Sequence, residues 1–155
     1  MLFGLFGGTY QHVWSLTSLQ ICFIVLNART CMAATIGFYL SGVIAIGIIF
    51  IGCRFLLAPS TAAAGYGVPA GVESHSRAYL SAKGIRDIAS GLFIAMLIAY
   101  GSAHALGWFM LIATLIPIAD AVIVLHQGGK RTVAFGVHGG TAVAMLIISG
   151  LLLID

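Results

Sequence analysis

Charged side chains are what this sequence most conspicuously lacks. Only 7% of its 155 residues are Asp, Glu, Lys or Arg, and 61% are hydrophobic. A soluble domain carries roughly 25% charged residues, so this chain cannot build a water-facing surface of ordinary composition. The composition therefore predicts an integral membrane protein with one domain.

Cysteine pairs and common catalytic motifs are also missing. The three cysteines, Cys22, Cys31 and Cys53, form no C-x-x-C pair, and their odd number argues against a disulfide framework. The sequence contains no P-loop, dinucleotide fingerprint or HExxH motif, so we predict no cofactor. The formal net charge of +3 comes from basic residues scattered singly between apolar runs, which argues against a nucleic-acid partner.

Long apolar runs dominate what is there. A spanning helix needs about 20 mostly apolar residues, and four segments qualify: 33–58, 85–104, 108–126 and 132–154. Because most connections are short, we predict an all-α fold, a polytopic membrane four-helix bundle covering residues 32–155 with a long loop at 59–84. Residues 1–31 form a separate N-terminal segment. Its apolar part is short, so a fifth helix, an interfacial helix and a signal-anchor all remain open.

The few ionisable residues inside apolar segments are the informative ones, because a charge in the hydrocarbon costs roughly 2.5–3.5 kcal/mol. Up-and-down topology brings them to one layer, on the side of the basic loops that we place in the cytoplasm. Lys83 and Asp87 are four residues apart and share a helix face, which leaves Arg86 to face Asp120. Pro117 weakens the helix just before Asp120. The residues of this layer are Arg54, Arg86, Asp87, Asp120, His126 and His138.

Simpler interpretations remain open for several of these residues. Arg54 could extend to the lipid headgroups, Arg86 with Asp87 could be a structural ion pair, and His138 could be an ordinary buried histidine. The acidic residues with His126 and His138 match no known metal-ligand spacing, so we predict no metal site.

A resemblance narrows the function. Gly67-Val68-Pro69, the run 79–92 with its Lys-Gly-Ile-Arg-Asp block, Ile116-Pro117-x-x-Asp120 and His138 resemble a family of small four-helix membrane proteins of bacteria and fungi, classed as of unknown function. The resemblance extends from about Gly37 to the C-terminus. It implies similarity to fungal membrane hydrolases or cyclases of polyene-pyrone polyketide pathways, which open polyketide epoxides. For a fungal member it implies the endoplasmic reticulum membrane.

Epoxide opening needs a base for the attacking hydroxyl and an acid for the epoxide oxygen. By analogy with soluble limonene-epoxide-type hydrolases, Asp87, Arg86 and Asp120 would form an Asp-Arg-Asp arrangement, with His138 relaying protons. We expect substrate binding by Arg54, Lys83, Tyr79 and His126. The predicted partners are a lipophilic substrate and membrane lipids, and a homo-oligomer is left open. The alternatives are a proton-coupled carrier and a non-catalytic subunit whose polar layer fixes helix register.

Overall fold

The computed structural model describes the backbone of residues 7–66 and 74–154. It describes the side chains of Val25 and Ala28 and, from Thr30 onward, those of all these residues except 74–76. Within these ranges the chain is helical with short turns, which confirms the predicted all-α fold. The helices are α1 (Gly7–Leu57), α2 (Pro59–Tyr66), α3 (Ser74–Tyr100), α4 (Ala103–Ala113), α5 (Leu115–His126) and α6 (Arg131–Val133), followed by a π-helical turn (Ala134–Gly139) and α7 (Gly140–Leu153).

Three stretches of the described chain are long and apolar enough to cross a membrane: Thr30–Leu57, Ala103–His126 and Arg131–Leu153. They correspond to the first, third and fourth predicted spans. The second predicted span, 85–104, is not among them, because most of it lies in α3, which carries the charged residues Lys83, Arg86 and Asp87. On α1, Val43, Ile46 and Phe50 are more than 60% exposed. Such large apolar surfaces are suited to lipid rather than water.

The predicted loop at 59–84 is mostly helix. Pro59 takes the first position of α2, where a proline loses no helical hydrogen bond. Helix α3 begins at Ser74, earlier than the predicted start at 85, and ends before Gly101, whose φ of 77° suits a glycine. The motif Gly67-Val68-Pro69 lies outside the described residues. Helix α1 runs without a break through Cys31, and the division of the chain at residue 31 stays a prediction.

Helices α1 and α3 form the closest contact in the bundle. A Cβ atom on Gly52 would lie 2.6 Å from the carbonyl oxygen of Gly84, and one on Gly84 would lie 2.7 Å from that of Gly52. Only glycines permit this approach of two backbones. The contact holds the part of α3 that carries Lys83 and Asp87 directly against α1.

The core joins α1 and α3 to the pair α4 and α7. Ile94, Leu106, Met110 and Leu152 are at most 1% exposed and belong to one cluster. The hydroxyl of buried Ser149 donates a hydrogen bond to the carbonyl of Gly107 at 3.0 Å, which ties α7 to α4. This core closes one end of the bundle and leaves the polar groups at the other.

At the polar end of the bundle, the last two apolar segments are each interrupted. The segment 103–126 is broken at Thr114, three residues before Pro117, which has no N–H for the helical hydrogen bond. The interruption lies where Pro117 is predicted to weaken the helix before Asp120. The last segment widens into the π-helical turn, which contacts α5, whereas α7 contacts α4 and α1.

Candidate functional site

An ion cluster joins α3 and α5. The Nζ atom of Lys83 lies 3.2 Å from Oδ2 of Asp87 and 3.0 Å from Oδ2 of Asp120. The Lys83 side chain is only 14% exposed, and each aspartate side chain is 10% exposed. One ammonium group therefore serves two buried carboxylates, and the cluster holds one more acidic group than basic groups.

Tyr66, at the end of α2, provides a second hydrogen-bond donor to Asp120. Its hydroxyl donates a hydrogen bond to Oδ1 of Asp120 at 2.8 Å. Burial, and then the hydrogen bond to Asp120, raise the pKa of the Tyr66 hydroxyl well above its usual range, so it stays protonated and remains a donor. The Nζ atom of Lys83 also lies 4.9 Å from the centroid of the Tyr66 ring and 5.4 Å from that of Phe55, in cation–π geometry.

His138 is placed beside this cluster by the π-helical turn. Its ring packs edge-on against Tyr66, with centroids 4.9 Å apart and planes at 69°. The residue is 9% exposed, and within the described part of the protein its Nε2 atom is buried without a hydrogen-bond partner. Leaving such an atom unpaired costs roughly 1–3 kcal/mol. An orphaned nitrogen of this kind is a position for a ligand or a transferred proton.

A cavity of about 340 Å³ opens onto these groups. This volume lies at the lower end of the range for small-molecule sites, roughly 300–1,000 Å³. Most of the wall is apolar, with Val43 and Ile48 from α1, Phe109 from α4 and Met145 from α7. The polar part of the wall is formed by Tyr66, Lys83, Asp87, Ser90, Asp120, His138 and Thr141. The cavity is therefore mostly apolar, and its ionisable side chains form one polar part of the wall.

A smaller cavity of about 160 Å³ adjoins the first. The two share Ile51, Tyr66, Val137 and His138 as lining residues, so the Tyr66–His138 pair lies at their boundary. Arg54, in the last turn of α1, lines only the smaller cavity.

The model of a domain of unknown function, DUF4267, matches residues 45–152, more than half of the chain. The chain belongs to the DUF4267 family. Every residue of the polar cluster lies inside the DUF4267 domain, and the predicted membership of a family of unknown function is confirmed at that level. No curated protein and no solved structure matches the chain.

The DUF4267 domain brings four of the predicted site residues into one cavity: Lys83, Asp87, Asp120 and His138. Arg54 borders the adjoining cavity instead. The roles assigned to these residues stay predictions. The expected convergence of residues far apart in sequence holds for Asp87, Asp120 and His138, which line one cavity. The four come from α3, α5 and the π-helical turn.

Arg86, Tyr79 and His126 lie elsewhere. Each is exposed, Tyr79 by 79%, and none lines either cavity. The expected contact of Arg86 with Asp120 is made by Lys83 instead. The reason is helical geometry: Lys83 and Asp87 share a face, whereas the side chain next to Asp87 points about 100° away.

Tyr66 is the site residue that sequence reasoning missed. It falls in the segment 59–84, which the sequence predicts to be a loop, and a loop does not fix where a side chain lies. A signal was present, because Pro59 followed by Ser, Thr and three alanines is typical of a short helix. Within the described residues, no three His, Cys, Asp or Glu side chains are close enough to hold a metal ion.

Proposed function

We propose that this DUF4267 protein is an integral membrane enzyme that performs acid–base chemistry on a lipophilic small molecule, most concretely the opening of an epoxide by hydrolysis or cyclisation. The observation that carries the proposal is the buried, unpartnered Nε2 atom of His138 beside the Lys83–Asp87–Asp120 cluster in one apolar cavity. Such a cavity supplies a potential base and a potential acid on the same wall.

The acid follows from the charge of the cluster. Two carboxylates and one ammonium carry a net charge of −1, and one added proton makes the cluster neutral, which an apolar setting favours. Asp120 accepts hydrogen bonds from both Lys83 and Tyr66, whereas Asp87 pairs with Lys83. We therefore assign the proton to Asp87, the carboxyl group with fewer donors around it, and assign Asp120 to positioning Lys83 and Tyr66.

The base is His138. Its free Nε2 atom takes a proton from water, or from a hydroxyl of the substrate, while that oxygen attacks an epoxide carbon. The carbon–oxygen bond of the epoxide breaks, and the released oxygen takes the proton of Asp87. The protonated His138 then returns a proton to the Asp87 carboxylate, which restores the starting state. Attack by water yields a diol, and attack by an internal hydroxyl yields a cyclic ether.

The experiment is turnover of a panel of lipophilic epoxides by the purified protein in nanodiscs, in water enriched in ¹⁸O. Hydrolysis adds one ¹⁸O per product, whereas cyclisation leaves the mass of the substrate unchanged and alters its retention. We expect Asp87→Asn and His138→Gln each to lower kcat at least about 100-fold, the usual size of an acid–base contribution. His104→Gln is the matched control, because His104 is exposed and lines neither cavity.

Full turnover in Asp87→Asn or His138→Gln would refute the assigned roles, and no turnover of any epoxide by the wild-type protein would refute the epoxide chemistry. The endoplasmic reticulum location implied for a fungal member and a homo-oligomeric state belong to the same proposal. Fluorescence microscopy of the tagged protein in its host and light scattering in detergent would test them.

The surplus carboxylate also favours a second candidate, a proton-coupled carrier of hydrophobic cations. An apolar cavity with a net charge of −1 would bind such a cation in exchange for the proton of the cluster. In that case a ligand binds with release of a proton, leaves unchanged, and no longer displaces a proton in Asp87→Asn. Wild-type function in every variant of the cluster would instead indicate a non-catalytic subunit.

A further inference from the structure

The two adjoining cavities follow one another along α1. The larger cavity is lined by α1 residues from Val43 to Ile51, and the smaller one by Ile51, Arg54 and Phe55. From Val43 to Arg54 the helix rises roughly 16 Å, at about 1.5 Å per residue. A ligand occupying both cavities would therefore be elongated, with one end in an apolar chamber and the other near the last turn of α1.

The two ends differ in charge. The larger cavity holds the cluster with surplus negative charge, whereas Arg54 is the only Lys, Arg, Asp or Glu among the described residues that line the smaller cavity. Within that same part of the protein, both salt bridges involve Lys83, and Arg54 forms none. An arginine offers a planar set of donors that suits a carboxylate or a phosphate.

The boundary between the cavities is the reacting region of the proposed mechanism. Tyr66 and His138 line both cavities, and His138 carries the free Nε2 atom. A ligand whose head lies at Arg54 and whose tail lies in the larger cavity must pass these two side chains. Its middle would then lie beside the base.

We propose that the site binds an elongated amphiphile with an oxyanionic head, which Arg54 holds in the smaller cavity while the apolar body fills the larger one. This deepens the function proposed above and rests on it for the chemistry, but the binding claim stands on the cavities alone. An anionic phospholipid offers the same headgroup chemistry as an acidic substrate, so the two sources must be distinguished.

The test compares binding of oleic acid and methyl oleate to the full chain in phosphatidylcholine nanodiscs at about pH 9, where the carboxyl group is ionised. These probes share a tail and differ in the charge of the head. We expect the wild-type protein to bind the acid about fivefold more tightly than the ester, the factor that corresponds to about 1 kcal/mol for one partly exposed ion pair. Arg54→Gln should lose this preference and keep its affinity for the ester, and Arg54→Lys should retain most of it.

Arg77→Gln is the control for a general loss of positive charge, because Arg77 is exposed and lines neither cavity. Equal binding of acid and ester by the wild-type protein, or an unchanged preference in Arg54→Gln, would overturn the proposal and leave Arg54 as a headgroup anchor. Displacement of oleic acid by added phosphatidylglycerol, in wild type but not in Arg54→Gln, would support the oxyanion site with a lipid as its occupant. Acid preference without turnover of any epoxide would refute the proposed chemistry and leave this binding site standing.

Discussion

Removal of the Lys83 ammonium group tests the central feature of the structure. In Lys83→Met the side chain keeps an apolar stem one atom shorter, but the carboxyl groups of Asp87 and Asp120 lose a partner at 3.2 and 3.0 Å. Breaking a buried ion pair by removing one partner costs roughly 3–5 kcal/mol, because an uncompensated charge is left behind. Both aspartates contact this one lysine, and Asp120 is left as the uncompensated carboxylate, so we expect a loss within that range.

The measurement is reversible unfolding in mixed micelles, titrated with sodium dodecyl sulfate and followed by far-ultraviolet circular dichroism. Lys130→Met provides the matched control, since Lys130 is exposed and surface substitutions usually change stability by less than about 0.5 kcal/mol. The triple variant Lys83→Met, Asp87→Asn, Asp120→Asn removes all three ionisable groups and should recover most of the loss, as neutral replacements of buried ion pairs often do. A Lys83→Met protein within about 1 kcal/mol of wild type, or a triple variant as unstable as the single one, would refute the reasoning.

Two further predictions concern packing and the tyrosine. Gly84→Ala places a Cβ atom 2.7 Å from the Gly52 carbonyl oxygen, so overpacking should destabilise the protein by about 1–3 kcal/mol in the same assay. Gly150→Ala, which meets no atom within 4 Å, should not, and equal effects would contradict the close α1–α3 contact. Tyr66→Phe removes one hydrogen bond to Asp120 and should cost about 0.5–1.5 kcal/mol of stability. Because the pKa of Tyr66 is raised, the wild-type pH–rate profile should show no loss of activity from phenol ionisation up to about pH 10, and such a loss, absent in Tyr66→Phe, would contradict the buried geometry.

Apolar length predicted the three stretches that are long and apolar enough to cross a membrane, because the hydrocarbon thickness sets a minimum length that the sequence can reveal. The predicted span 85–104 is not among these stretches. The predicted segments 108–126 and 132–154 differ from the observed stretches Ala103–His126 and Arg131–Leu153 by only a few residues at each end. The less apolar helices show a weaker hydrophobic periodicity. The first part of α3 and all of α2 are rich in alanine, serine and glycine and lack a strong apolar period, so the sequence predicts a loop there.

The site residues were predictable where a polar or ionisable side chain stands alone in an apolar segment. Asp120 and His138 are isolated in apolar runs, and the cost of exposing them to lipid forces them toward the bundle interior. The choice between Lys83 and Arg86 was different, since both precede Asp87 closely. Only the rotation of α3, set by the glycine contact of Gly84 with α1, decides which of the two faces Asp120.

The π-helical turn lets one apolar segment both place His138 at the cavity and pack α7 against α4. A turn closed from i to i+5 holds an additional residue, so side chains beyond it are rotated by about 100° relative to a straight α-helix. The stripe of α7 that seals the bundle against α4 is thus out of phase with the position of His138, which faces α2. Shortening the turn by one residue would realign these stripes and swing the imidazole off the chamber wall, while the seal against α4 stayed intact.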